Sequence, residues 1–310
     1  MTDSTPLAGR VALVAGATRG AGRAIAVELA RAGAYVYATG RSSRGGGRSE
    51  IGRPETIEDT GDLIAGAGGS GTALVVDHED PAAVGALIAR VEAEQGRLDV
   101  LVIDIFGGDR YLRWNTPLWE QELAGGLRML RMGIDTHVIT SALALPLLLR
   151  TGPGLVIEMT DGTSTVNAAY REGVGFFYDL VKSGVGRIVL GLTAELAGHP
   201  VTALGVTPGW LRSEQMLEGF GVTEATWRDA CAAQPGFAIS ESPAYVARGI
   251  AALAADPDAG RYAGRVLSSY DLADAYGVTD TDGSRPDAWG LIEAHGMNAT
   301  DPEVIASYRH

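Results

Sequence analysis

The sequence predicts an α/β fold: one doubly wound, parallel sheet of about seven strands with helices on both faces. Three observations lead there. The first is a strand–turn–helix–strand unit within the opening forty residues. The second is the alternation, along most of the chain, of short apolar runs with segments of helical periodicity. That is the pattern of parallel βα repeats joined by right-handed crossovers. The third is the lack of any break in composition before about residue 270, which makes residues 1–270 one domain and residues 271–310 a C-terminal extension.

Residues 11–15, VALVA, are wholly apolar, of strand length, and end at Gly16. After a glycine-rich turn, residues 23–32 place Ile25 and Leu29 on one helical face, and Gly33 suits that helix's C-terminus. The second strand falls on residues 34–38. Residues 42–62 are polar, glycine-rich and too long for an ordinary link, so an insertion or flexible flap is expected there. Residues 72–76 form the third strand. Asp80 and Pro81 then supply an N-cap and a proline at the first helical position, and Val84, Leu87, Ile88 and Val91 give that helix its buried face. The fourth strand, 100–105, is apolar except for Asp104, and a long helix spans 120–149. Strand five (155–159), helix 176–197, strand six (201–206), helix 243–255 and strand seven (265–269) complete the repeat. Residues 211–242 are expected to form a lid, and the Asp-, Gly- and Thr-rich residues 271–310 an extended arm.

At 310 residues and 46% hydrophobic, the chain can bury a sizeable core. A net charge of −13 argues against nucleic acid or an anionic membrane surface as partner, since both need a basic face. One cysteine, Cys231, excludes an intrachain disulfide and a cysteine-based metal cluster. No segment reads as a signal peptide or approaches a membrane-spanning length, so a cytoplasmic protein is expected.

Of the 25 basic residues a single one, Lys182, is a lysine, and it lies four positions after Tyr178 on the helix 176–197. Positions i and i+4 share a helical face, so phenol and ammonium point the same way. A compact ammonium suits a point charge beside a titrating group, which a broad planar guanidinium does not. The string Gly16-Ala17-Thr18-Arg19-Gly20-Ala21-Gly22 lies between the first strand and first helix, where glycines let the backbone approach a pyrophosphate seated on the helix N-terminus. The second strand runs into Thr39-Gly40-Arg41-Ser42 with no acid to bind the adenosine ribose. Arg19 and Arg41 at that corner favour NADP(H) over NAD(H).

On these motifs the chain resembles the short-chain dehydrogenase/reductases, a Rossmann-type family, over residues 8 to about 270. The family's glycine motif falls on Gly16, Gly20 and Gly22, and its YxxxK on Tyr178 and Lys182. The acid that meets the adenine falls on Asp77, with His78 beside it. The Pro-Gly after the sixth strand falls on Pro208 and Gly209, with Leu211 and Ser213 flanking the nicotinamide carboxamide. The resemblance implies further cofactor contacts at Thr18, Arg19, Ala21, Arg41, Phe106 and Gly107. There are departures too. Ile103-Asp104-Ile105-Phe106-Gly107-Gly108 replaces Asn-Asn-Ala-Gly, and the position of the relay asparagine falls on Gly133. The catalytic serine's place falls on Asp161 by one count and near Ser164 and Thr165 by another. These features resemble a divergent subgroup with an Arg-Pro-Glu-Thr-Ile-Glu insertion, here Arg53 to Glu58, and a Thr-Asp-Gly loop, here Thr160 to Gly162.

The resemblance implies hydride transfer between a nicotinamide and a carbonyl or alcohol carbon, with Tyr178 as acid and base and Lys182 lowering its pKa and holding the nicotinamide ribose. A group of the 160–165 loop, Asp161 or Ser164, would orient the substrate oxygen. The displaced serine and missing asparagine leave two alternatives: a nucleotide-binding protein with little redox activity, and an isomerase or dehydratase that uses bound cofactor transiently. Phe106, Tyr111, Trp114, Trp119, Tyr170, Phe176 and Trp210 suggest an apolar pocket for a hydrophobic carbonyl compound, with Asp109 and Arg110 at its mouth. No metal site is expected. Val185, Ile188, Val189 and Leu192 give helix 176–197 a second apolar side, which in this family pairs subunits into homodimers or homotetramers.

Overall fold

In the computed structural model, which describes residues 5–297 and 299–310, seven strands alternate with helices. The strands are β1 (Val11–Ala15), β2 (Tyr35–Gly40), β3 (Ser70–Val75), β4 (Val100–Ile103), β5 (Gly154–Met159), β6 (Val201–Thr207) and β7 (Val266–Ser268). They form one all-parallel sheet in the order β3-β2-β1-β4-β5-β6-β7. The order reverses between β1 and β4, and there a crevice opens beyond the strand C-termini. β1 is buried at every residue because both its faces are covered. Ala12 and Val14 join a core with α1 (Gly20–Arg31), α2 (Ile57–Gly66) and α8 (Pro243–Ala255). Val11 and Leu13 join the opposite core, with α3 (Pro81–Gln95) and α5 (Thr136–Thr151). That two-sided burial is why the strands read as continuous apolar runs.

The β1–α1 turn is set by close approach. A Cβ on Gly22 would lie 2.5 Å from the Gly16 carbonyl oxygen, and one on Gly16 would lie 2.2 Å from the Asp104 carbonyl oxygen. Only glycine lets the first turn of α1 sit this tightly on the ends of β1 and β4.

Four expectations are corrected. The end of the expected flap, residues 57–62, is helix: the Thr56 and Asp59 side chains and backbone N–H groups cap one another reciprocally, starting α2. The rest is pinned, with Arg53 bonded to Glu55 at 2.8 Å and to Glu218 at 2.5 Å. The helix read at 120–149 is α4 (Leu123–Leu130) running through a π-helical segment, Arg131–Asp135, into α5. Together these span Leu123–Thr151, 29 residues apolar enough to cross a membrane, so one segment does reach spanning length. Half of its apolar stretch is buried against the sheet and α6 (Phe176–Glu195), as in a core helix. Residues 271–310, finally, do not extend. They contain most of α9 (Ser269–Tyr276), α10 (Ala288–His295) and α11 (Pro302–Ser307) and fold back onto residues 235–239. Between β6 and α8, α7 (Glu214–Gly219) faces α1.

Two buried contacts fix this C-terminal part. Trp289 Nε1 donates to the Pro208 carbonyl at 2.8 Å, and Arg212, fully buried on the Trp227 ring, bridges Glu224 and Asp280. Next to them Glu241 is wholly buried. One carboxylate oxygen accepts from Ser269 at 2.6 Å; the other has no hydrogen-bond partner among the described residues, and burial pushes the pKa up to about 8. A carboxyl raised in the folded state contributes stability that is present below its unfolded pKa and lost as pH rises through the folded one. Thermal melts from about pH 5 to about pH 9 are therefore expected to show a fall in melting temperature that Glu241→Gln reduces.

Candidate active site

Helix α6 begins where Gly175, at φ +89°, turns the chain into Phe176. Tyr178 and Lys182 then lie one helical turn apart and face the C-terminal ends of β4 and β5. Phe106, in the turn after β4, meets the Tyr178 ring edge-on at 5.7 Å, and Lys182 Nζ sits 3.9 Å from the centre of the Phe106 ring. The ammonium is thus held over an aromatic face. Burial pulls the Lys182 pKa below its ordinary value, while Asp161, Asp109 and Asp104 oppose that fall. Burial likewise raises Asp104 to about 6, with Lys182 acting against the rise, and raises Asp109.

After β5 the chain enters the loop Thr160–Gly175, and Asp161 is its central group. The Tyr178 hydroxyl donates to Asp161 Oδ2 at 2.9 Å, and Arg171 Nη1 donates to the same oxygen at 3.0 Å. Burial, then the Asp161 charge, drives the Tyr178 pKa well above 10 and keeps the group a phenol. Ser164, the other candidate for the serine's place, is exposed and does not line the cavity. The loop turns outward after Gly162, at φ +109°, and carries Ser164 away from Tyr178.

A single cavity of about 790 Å³ runs from this group to the β1–α1 turn. It brings Gly16, Thr18, Arg19 and Ala21 together with Arg41, Asp77, Gly107, Pro208, Gly209, Leu211 and Ser213. Gly20 and Gly22 lie behind its wall, and the Gly20 N–H donates to Glu214 of α7 at 2.9 Å. His78 borders the cavity, but its ring is spent in the core, bonded to Thr39 Oγ1 at 2.8 Å and Thr140 Oγ1 at 2.7 Å. Burial lowers its pKa to about 4, so it stays neutral there.

The aromatic residues divide. Phe106, Trp114 and Trp210 line the cavity with Leu112 and Val174, whereas Trp119 (84% exposed), Tyr170 and Phe176 face outward. Tyr111 donates to Glu50 at 2.6 Å outside the cavity. Asp109 lines it, while Arg110 reaches the Glu50 carbonyl. Three contributors escaped the sequence reading: Arg171, Glu214, and a buried pair of His137 with Glu158 at 2.6 Å. His137 Nε2 lies 3.0 Å from the Ile105 carbonyl and so fixes the turn that presents Phe106. Among the described residues no cluster of three or more His, Cys, Asp or Glu could hold a metal ion.

A profile for short chain dehydrogenases matches residues 10–220. The chain belongs to the short-chain dehydrogenase/reductase family. This short-chain dehydrogenase/reductase is similar to dehydrogenase/reductase SDR family member 1 of Mus musculus, with 32% identity over 283 residues, 90% of this chain and 85% of that one. The Homo sapiens protein of the same description is 30% identical, over 90% and 86%. A mutant Serratia marcescens short-chain dehydrogenase/reductase has the same fold, with TM-score 0.67 and 26% identity, over 85% of this chain and 97% of that one. A Beutenbergia cavernae structure with NADP bound at low occupancy matches over 87% and 98%, at TM-score 0.67 and 26% identity.

One departure of this short-chain dehydrogenase/reductase from the family pattern has a steric cause. Gly133 lies in the π-helical segment, and a Cβ there would come within 2.4 Å of Val181 Cγ1. No side chain fits. Restoring the family's residue as Gly133→Asn is expected to destabilise the fold by about 1–3 kcal/mol, as overpacking does, and to lower activity. Denaturant titration beside steady-state rates checks both.

Proposed function

We propose that the protein is an NADP(H)-dependent oxidoreductase that interconverts a carbonyl and an alcohol. The observation that carries this reading is that one cavity joins the glycine turn of α1 to the Tyr178–Lys182 pair. The residues present fit a dinucleotide. Glycine is required at Gly16 and Gly22 for close approach, and a Cβ on Gly40 would overlap Thr18. Gly16, Thr18, Ala21, Asp77, Gly107, Pro208, Leu211 and Ser213 would hold it. When bound, the cofactor supplies or takes the hydride.

The phosphate form is favoured by the corner beyond β2. Arg19 bonds Glu55 at 3.2 Å through Nε, while its buried Nη2 has no hydrogen-bond partner among the described residues. Arg41 lines the same cavity, its guanidinium 3.2 Å from Glu79 and 3.5 Å from Glu50. An unfilled guanidinium nitrogen at the adenosine corner suits a 2′-phosphate. The Beutenbergia cavernae structure with NADP points the same way.

For the chemistry, Tyr178 gives its proton to the substrate oxygen in reduction and recovers it in oxidation. Lys182, desolvated over the Phe106 ring, stabilises the phenolate left behind. Because burial and Asp161 raise the Tyr178 pKa in the free protein, the resting group is in the acid form that reduction needs. Phe106, Leu112, Trp114, Val174 and Trp210 make the substrate end apolar and favour a hydrophobic carbonyl compound.

Val185 and Val189, expected on the pairing side, are buried within the chain itself; the exposed leucines Leu123 and Leu127 on α4 and Leu180 and Leu190 on α6 suit a second copy of the chain instead. Light scattering is expected to give at least a dimer, and Leu180→Asp to weaken it; a monomeric wild type rejects the pairing.

Reduced-cofactor oxidation is to be followed at fixed cofactor with a panel of hydrophobic ketones and aldehydes. The wild type is expected to prefer NADPH to NADH, and Tyr178→Phe and Lys182→Met to lose at least about 10²-fold in kcat while keeping their melting curves. Undiminished turnover in both variants rejects the reading.

A further inference from the structure

A carbonyl oxygen that gains negative charge needs more than one hydrogen-bond donor, and Tyr178 supplies one. The residue in the serine's place, Asp161, accepts a hydrogen bond from that same phenol and as a carboxylate has none to give. The other side-chain donors of its loop are occupied or, like Thr165 and Tyr170, exposed. Thr160 Oγ1 bonds the Lys182 carbonyl at 2.7 Å, Thr163 Oγ1 bonds Glu293 at 2.6 Å, and the Asn167 amide bonds the carbonyls of Asp161 and Gly162. Ser164 faces solvent.

Arg171 is different. Its side chain is 5% exposed and borders the cavity beside Tyr178, with the guanidinium carbon 5.6 Å from the centre of that ring. Of its five N–H donors, one hydrogen bond is made, from Nη1 to Asp161 Oδ2 at 3.0 Å; Nε and Nη2 are buried without a hydrogen-bond partner among the described residues. Buried guanidinium nitrogens left free are costly, and such a cost is accepted at sites where a ligand completes the bonding. Asp161 Oδ2, moreover, receives the Tyr178 hydroxyl and the Arg171 N–H together, at 2.9 and 3.0 Å. That is the two-donor seat a developing alkoxide requires.

We propose that Arg171 is the second donor to the substrate oxygen, in the role the family pattern gives to serine, and that Asp161 Oδ2 fills the oxygen's seat until substrate arrives. This inference rests on the carbonyl–alcohol reading above. Turning the Asp161 side chain aside leaves both donors aimed at the vacated position, and the unused nitrogens of Arg171 let the carboxylate stay paired after the move. Two carboxylates face the guanidinium, Asp161 and, at 3.5 Å from Nε, Asp179. Its charge is therefore already balanced, which suits a neutral carbonyl and disfavours a substrate carboxylate at the same place.

The test compares wild type, Arg171→Met and Arg171→Lys in NADPH binding by fluorescence, in thermal melts, and in steady-state reduction of neutral ketones and of carbonyl acids. For Arg171→Met kcat is expected to fall by about 10²–10³-fold on neutral and acidic substrates alike, with NADPH affinity within about threefold of wild type. Arg171→Lys, which keeps one donor and the charge, is expected to regain part of that loss. A kcat for Arg171→Met within about threefold of wild type overturns the proposal. So does a loss confined to KM for the acids, which makes Arg171 a carboxylate anchor instead. Should Arg171→Met fail to fold, the lysine variant decides, and full kcat in it overturns the proposal. A wild type that binds NADPH and reduces no carbonyl fails the preceding reading, a result distinct from an Arg171 variant that works.

Discussion

The burial of one ammonium group constrains everything around it. Lys182 Nζ lies at the Tyr178 end of the cavity, against the Phe106 ring and out of bulk water, where an uncompensated charge costs several kcal/mol. Three aspartates, Asp104, Asp109 and Asp161, supply the compensating field. Two of the three lie where this chain differs from the family pattern: Asp104 stands for an asparagine, and Asp161 is one of the two candidates for the serine's place. Each of these two carboxylates is held by a second partner: Asp161 by Arg171, and Asp104 by its place against Gly22, where a Cβ would lie 2.9 Å from Oδ2.

The π-helical segment Arg131–Asp135 belongs to the same arrangement. Widening the helix by one residue brings the backbone of Gly133 against Val181 of α6 and Phe106. What the helix lacks at this position is a side chain; what it gains is close packing behind the aromatic face on which Lys182 rests. His137, four residues along, then reaches the Ile105 carbonyl and holds the Phe106 turn in place. Helix, turn and lysine are fixed together.

How much of this the sequence disclosed follows from the range of the interactions. Strand runs buried on both faces, the glycine turn and the Asp80-Pro81 start of α3 are local signals, and each lies within two residues of where it was read. The start of α2 was equally local, but Thr56 and Asp59 sit in a glycine- and arginine-rich stretch whose composition masked the reciprocal cap. The C-terminal residues read as an arm because their docking depends on single buried contacts, Trp289 on Pro208 and Arg212 on Asp280, which leave no periodicity. Arg171 was invisible for a stronger reason. A search for serine's substitute weighs hydroxyls near serine's position. The residue that meets Tyr178 and Asp161 in space comes ten positions after Asp161, on the far side of a loop whose path no spacing rule encodes.

The use of arginine elsewhere explains why the lone lysine is where it is. Arg128 forks between Glu50 and Glu79, Arg53 between Glu55 and Glu218, and Arg212 between Glu224 and Asp280, each exploiting several nitrogens of a planar group. A chain with 24 arginines meets nearly every need for a cation this way. At position 182 the geometry is different: the charge must end in a single atom 3.9 Å from the centre of one ring and 5.5 Å from the centre of another, close enough for three carboxylates to act on it. A guanidinium has the charge but spreads it over a plane wider than that gap, and its pKa is too high to respond to its neighbours. An ammonium is compact and its proton affinity moves with burial. Against a background so strongly biased to arginine, the lysine at this one position marks where a compact point charge is required, one helical turn from Tyr178.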